Sequence, residues 1–198
     1  HEKPLSALVF STDEKQLMTA SMDFTIKLWD LEKQHLIKTF QDPNDLKYVP
    51  DSLFLFQNRK YFISGHRDRI KMWDLKTGKI LKTWNSSSYY SFHDTKLSPD
   101  NEYLAAGCGG ANVGLQIWKI KEEMIQQIPR IEAPSNNCFT QLAFSPDSHI
   151  LAAGGVWKEI KLFDVKTGSV LTTIRTPKEI EILFSTMVFS PNVIKLYV

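Results

Sequence analysis

The chain has 198 residues, 24 Lys+Arg against 22 Asp+Glu for a formal charge of +2, and a hydrophobic share of 42%. That balance excludes a disordered chain and gives no strong electrostatic pull toward nucleic acid or an anionic membrane. No apolar run approaches the ~18 residues that span a bilayer, and two cysteines are too few for a disulfide scaffold. The chain begins at His1 without an apolar signal region, so an intracellular protein is expected.

In chain order, Ala7-Leu8-Val9-Phe10 reads as a buried strand, and further strands are expected through Leu17–Thr19, Ile26–Trp29 and Leu36–Phe40. Ser11-Thr12-Asp13 separates the first two strands, and the same turn chemistry returns as Ser98-Pro99-Asp100, Ser145-Pro146-Asp147 and Ser190-Pro191-Asn192. Its recurrence as a turn is sufficient explanation for three Ser-Pro pairs that otherwise suggest proline-directed phosphorylation. Lys76-Thr77-Gly78 and Lys166-Thr167-Gly168 place glycine where a tight turn demands positive φ. Lys121–Ile128 is the one segment with a helical alternative, but its position matches a fourth strand.

These elements belong to one repeating unit. Trp29, Trp73, Trp118 and Phe163 recur in nearly identical phrases (Ile-Lys-Leu-Trp-Asp in the first) at intervals of 44, 45 and 45 residues. Repeats are expected at about 1–45, 46–87, 88–132 and 133–178, with a partial one at 179–198, where Leu196 aligns with Leu151. A four-stranded unit of this size cannot bury both faces alone, so units must stack face to face.

With these phrases and this period, the chain resembles the WD-repeat family of β-propellers along essentially its whole length. The resemblance implies an all-β fold of four-stranded antiparallel blades, four blades plus part of a fifth, as a fragment of a larger, seven-bladed propeller. A chain stopping within a blade leaves a bare blade face prone to association. The resemblance also implies a hydrogen-bonded tetrad of His1, Thr19, Asp23 and Trp29. In the second repeat Ser64, Asp68 and Trp73 match, but no Gly-His dipeptide precedes the first strand; Gly65-His66 is assigned to a hairpin. The third repeat has a glycine-rich stretch in place of the Asp, and the fourth has Phe163 for Trp. The later repeats are therefore expected to rest on apolar packing.

Candidate chemistry is sparse. The five histidines never pair at metal-ligand spacing. Gly107–Gly114 precedes a strand rather than the helix that a phosphate loop requires. No nucleophile elbow occurs, and Asp30, Asp74 and Asp164 recur at strand ends, which marks structure. No catalytic residue, metal or cofactor is expected. Partner contacts carried over from the family fall on Pro4, Ser6 and Met22; Pro50, Ser52 and Arg67; Ser91 and His93; and Cys138, Thr140 and Val156. Tyr48, Tyr89, Tyr90 and Trp157 add large rigid groups nearby.

The expected function is a non-catalytic scaffold that presents its loop face to protein or peptide partners, within a multiprotein complex of the cytoplasm or nucleus and away from membranes. A ribonucleoprotein or nucleic-acid-associated subunit is the alternative, with a propeller enzyme as a third. The one basic gathering, Arg59, Lys60, Arg67, Arg69 and Lys71, reads as a solvated blade edge, and the near-neutral charge disfavours nucleic acid.

Overall fold

The computed structural model of the chain describes residues 1–56, 60–85, 92–108, 114–121, 124–128, 139–155, 159–175, 186–191 and 196–197; of residues 93, 108, 121 and 124–127 only the backbone is described. Strands account for all the regular structure among these residues. The first sheet is β1 (Leu5–Phe10), β2 (Gln16–Ser21), β3 (Ile26–Asp30) and β4 (His35–Phe40); the second is β5 (Pro50–Leu55), β6 (Tyr61–His66), β7 (Arg69–Asp74) and β8 (Ile80–Asn85). The third is β9 (Phe92–Leu97), β10 (Tyr103–Cys108), β11 (Leu115–Lys121) and β12 (Met124–Gln127), so Lys121–Ile128 does supply a strand. The fourth is β13 (Phe139–Phe144), β14 (Ile150–Gly155), β15 (Glu159–Asp164) and β16 (Val170–Arg175), and β17 (Val188–Phe189) pairs with β18 (Leu196–Tyr197). Neighbours run antiparallel in chain order. Two compact units divide the chain, His1–Ser86 and Ser87–Val198.

One register runs through all four large sheets. Phe10 faces Leu17, Leu55 faces Phe62, Leu97 faces Leu104 and Phe144 faces Leu151. An extra residue bulges the first strand at the same step each time, Ser6, Asp51, His93 and Thr140. This register corrects the second repeat: Leu55, not Phe56, ends the strand, so the equivalents of Pro4 and Ser6 move from Pro50 and Ser52 to Val49 and Asp51.

The turns explain the recurring polar phrases. Ser145 Oγ donates to the Asp147 carboxylate and accepts from the Ile150 N–H, which closes the turn around a fully buried hydroxyl. Ser98 does the same with Asp100 and Tyr103, and Ser11 with Asp13 and Gln16. At the other end, the Asp164 carboxylate accepts from both the N–H and the hydroxyl of Thr167, as Asp74 does from Thr77. Gly78 and Gly168 follow at φ 80° and 73°; the first sheet has Gln34 there, at φ 53°.

Within each unit, sheets stack through a repeated pair of faces. In the first unit the trailing face of the first sheet (Met18, Ala20, Ile26, Leu28, Phe40) meets the leading face of the second (Leu53, Leu55, Phe62, Trp73). Phe40 packs edge-on to Phe62 at 4.8 Å, and Phe62 stacks on Trp73 at 5.6 Å. The Ser6 hydroxyl donates across this seam to the Pro50 carbonyl at 2.6 Å, and Lys38 Nζ to the Lys76 carbonyl. In the second unit Ala105, Leu115 and Ile117 of the third sheet meet Leu142, Leu151 and Phe163 of the fourth. There the Asp94 carboxylate accepts from the Leu142 N–H, and Gly107 comes so close that an added Cβ would lie 2.4 Å from the Phe139 carbonyl oxygen. Behind the fourth sheet, Ala152 and Ile160 pack on Met187, Phe189 and Leu196.

The expected burial of β1 fails on one side. Leu5, Leu8 and Phe10 are each more than half exposed, because they lie on the leading face of the first sheet, which no other sheet of the first unit covers.

Candidate functional site

A buried indole N–H must find an acceptor, and each sheet of the first unit supplies one on the strand beside it. In the first sheet, Trp29 Nε1 donates to Thr19 Oγ1 at 2.9 Å, and that hydroxyl lies 2.8 Å from His1 Nε2. His1 Nδ1 is 3.0 Å from the Asp23 carboxylate. A carboxylate only accepts, so Nδ1 carries a proton toward Asp23. The structure thus brings His1, Thr19, Asp23 and Trp29 together.

Three further groups complete the assembly. The Thr25 hydroxyl and N–H and the Glu2 N–H all donate to Asp23, and Ser21 Oγ donates to the Lys3 carbonyl. Burial opposes the charge on Asp23, but the Thr25 and Glu2 hydrogen bonds outweigh it and hold the carboxyl below its ordinary value.

The second sheet corrects the expectation that it rests on apolar packing. Trp73 Nε1 donates to Ser64 Oγ at 2.9 Å, and Ser64 is 2.9 Å from Nε2 of His66, the residue assigned from the sequence to a hairpin. His66 lies in β6, two residues past Ser64, so both side chains project from the same face of the strand. Its Nδ1 is 3.1 Å from the Tyr48 carbonyl, which only accepts. The proton positions follow: Trp73 to Ser64, Ser64 to His66, His66 to Tyr48. Burial pushes the His66 pKa down to about 4, so the ring is neutral at pH 7. The imidazole beside the hydroxyl comes from ahead of the first strand in one sheet and from the second strand in the other.

Asp68, the second repeat's match to Asp23, takes a different partner. Arg69 clasps it with Nε and a terminal nitrogen at 2.8 and 2.7 Å, which lowers the Asp68 pKa and raises that of Arg69. Arg69 also reaches Asp45 at 3.3 Å, and Lys71, nearly completely buried, contacts Asp45 at 2.6 Å and Asp42 at 2.8 Å. Burial works against the Asp42 charge, yet Lys71 and the Asn44 N–H hold its pKa below the usual range. Two members of the basic gathering are therefore not a solvated edge: Arg69 and Lys71 pin the segment between β4 and β5 through Asp42 and Asp45, while Lys60 and Arg67 are exposed. Arg59 lies outside the described residues.

The loop edge of the first unit rises from these anchors. Pro4, Met22 and Arg67 are exposed, as is Leu46, which sits between the pinned Asp45 and Lys47; Lys47 lies 4.9 Å over the Tyr48 ring. Pro50 is buried and its carbonyl accepts from Ser6, so these two candidates hold the seam; Ser52 is partly buried. In the second unit Thr140 is partly buried on its bulge and His93 lies in β9. Ser91, Cys138, Val156, Trp157, Tyr89 and Tyr90 lie outside the described residues. Leu46 escaped the sequence reading because it has no equivalent in the family's contact positions.

Four-stranded antiparallel sheets at one register, stacked leading face to trailing face, define a repeat protein built of propeller-type blades. The model of the family described as WD domain, G-beta repeat matches residues 1–30 and 126–164. The chain thus carries WD-repeat sequence over these two stretches. It is 24% identical over 180 residues to the WD repeat-containing protein WDS homolog of Arabidopsis thaliana, covering 84% of this chain and 32% of that protein. To the Target of rapamycin complex subunit LST8 of Mus musculus it is 28% identical over 182 residues, covering 87% and 53%. To Periodic tryptophan protein 2 of Arabidopsis thaliana it is 27% identical, covering 91% and 19%. The chain thus spans from about a fifth to about half the length of these relatives.

Proposed function

We propose that the chain is a non-catalytic interaction scaffold whose loop edge, in the first unit Pro4, Met22, Leu46 and Arg67, meets protein or peptide partners. The observation that supports this reading is the anchoring beneath that edge. Two indole-to-imidazole chains and the Lys71 cluster hold the turns in place before any partner arrives, which lowers the ordering cost of binding. A relative named as a complex subunit supports assembly into a multiprotein complex. Cytoplasm or nucleus is the proposed setting; among the described residues no helix is long and apolar enough to cross a membrane. Pairing of Arg69 and Lys71 with carboxylates weakens the nucleic-acid reading, because it neutralises two of the five cations on which that reading would rest.

The test is quantitative affinity capture with the full chain carrying Met22→Glu and Arg67→Glu, against Leu81→Glu on the exposed outer strand β8. Partners lost from the loop variant and kept by the outer-strand variant support the reading. Equal capture by both refutes it.

A further inference from the structure

The segment between β4 and β5 is inverted in polarity. Its two carboxylates turn inward: the Asp45 side chain is 5% exposed, 2.6 Å from Lys71 and 3.3 Å from Arg69, and Asp42 lies 2.8 Å from Lys71. Its leucine turns outward: Leu46, the very next residue, is 51% exposed. Stability alone favours the opposite order. A buried ion pair gives up the hydration of both charges, and apolar side chains of similar volume fill such a site as well or better. A leucine left in water contributes nothing by burial.

The backbone is fixed on both sides of this leucine. Before it, the Asp45 N–H donates to the Asp42 carbonyl and the Asn44 N–H to the Asp42 carboxylate; after it, the Tyr48 carbonyl accepts from His66. Lys47 is exposed beside Leu46, its ammonium 4.9 Å over the Tyr48 ring. With Asp42 and Asp45 held by Lys71, the charge that the segment turns outward is positive. We propose that Leu46 and Lys47 are specificity-determining contacts for a peptide in which an apolar side chain stands beside a carboxylate. The apolar group packs on Leu46 and the carboxylate pairs with Lys47. The assignment deepens the scaffold role proposed above and rests on it. A loop fixed in advance lowers the ordering cost of binding, and its cation rejects basic peptides. A lipid surface fits less well, because interfacial binding grows with the apolar area inserted and the number of cations, and here there is one leucine beside one lysine.

The probe is a random peptide library displayed on phage and selected on the 198-residue chain, each enriched peptide then being titrated by fluorescence anisotropy. Enriched peptides are expected to carry Asp or Glu next to Leu, Ile, Met or Phe. Leu46→Ser and Lys47→Glu each weaken binding about tenfold or more, whereas Lys47→Arg keeps it. Both side chains are exposed, so circular dichroism should not change. Replacing the peptide's acid by lysine restores binding to Lys47→Glu, a rescue that mere structural damage would not allow. Peptides lost with Met22→Glu and Arg67→Glu but indifferent to Leu46→Ser and Lys47→Glu overturn this assignment and leave the scaffold role standing. Enriched peptides without an acid do the same. A selection yielding no peptide sensitive to any of these four changes overturns both. Lys47-dependent pelleting with phosphatidylserine vesicles, in a chain that selects no peptide, overturns the peptide in favour of a lipid surface.

Discussion

Mild acid should weaken the first unit through His66. Unfolded, this imidazole takes up a proton near its ordinary pKa of 6.5; folded, burial pushes that to about 4. Between those values the unfolded chain binds more protons, so stability falls as pH falls. The His66 contribution is complete above about pH 6.5 and gone below about pH 4, and the gap of about 2.5 units at 1.36 kcal/mol each amounts to roughly 3 kcal/mol. The residue is only 5% exposed, so solvent screening removes little of this. Asp23, Asp42 and Asp68 have lowered values, so their contributions are present above the ordinary 3.8 and are lost only below it, outside the His66 window. The assay is guanidinium unfolding of the wild-type chain and His66→Gln at steps from about pH 7.5 to pH 4.5, with amide exchange of β6 and β7 as the local readout. The variant is less stable at neutral pH, and the difference shrinks on acidification. Curves that stay parallel within about 0.5 kcal/mol would refute the neutral, buried imidazole.

Three other perturbations follow from single contacts. Lys71→Met leaves the buried Asp45 and the partly buried Asp42 without their shared cation and should cost about 3–5 kcal/mol in thermal denaturation, with much of the loss recovered when Asp45→Asn is added. Gly107→Ala drives a methyl against the Phe139 carbonyl and should lower the stability of the second unit by about 1–3 kcal/mol in guanidinium unfolding. Gln34→Gly relieves a left-handed residue at a turn position that glycine occupies twice elsewhere, and calorimetry should find the first unit about 0.5–1 kcal/mol more stable.

The strand plan was readable because it rests on local chemistry. Alternating apolar residues, Ser-x-Asp turns and the Asp-to-Thr bonds ahead of Gly78 and Gly168 all act within a few residues. The His66 role depends on a longer path. Ser64 and His66 share a strand face, which the period of two allows one to expect, but the Tyr48 carbonyl that fixes the ring lies 18 residues earlier. Lys71 misleads for the same reason: flanked by Ile70 and Met72 it reads as an outward lysine, and its carboxylates lie 26 and 29 residues before it. Leu55 and Phe56 are both apolar, so only pairing with Phe62 decides which ends the strand. The exposure of Leu8 and Phe10 was unreadable in principle, since whether a strand face is buried depends on what is stacked against it.

The polar chains also account for how the fourth sheet does without one. The register sets Trp29 beside Thr19 and Trp73 beside Ser64, and at the same two positions the fourth sheet has Phe163 and Ala153, both fully buried. A buried hydrogen bond adds only about 1 kcal/mol net, whereas a buried donor left without its acceptor costs about 1–3 kcal/mol. Donor and acceptor can therefore disappear together at little cost, as they do in the fourth sheet. Phe163 keeps the ring that fills the seam, packed edge-on to Phe139 at 6.0 Å, and gives up the N–H that would have required a hydroxyl on β14. Tethering the loop edge is what the apolar pair cannot do. Only a chain that runs on from the hydroxyl to an imidazole, and from there to Asp23 or the Tyr48 carbonyl, connects the sheet interior to the turns above it. On this account the first unit retains its buried histidines for the support they give to the surface that meets partners, more than for the stability of the sheets themselves.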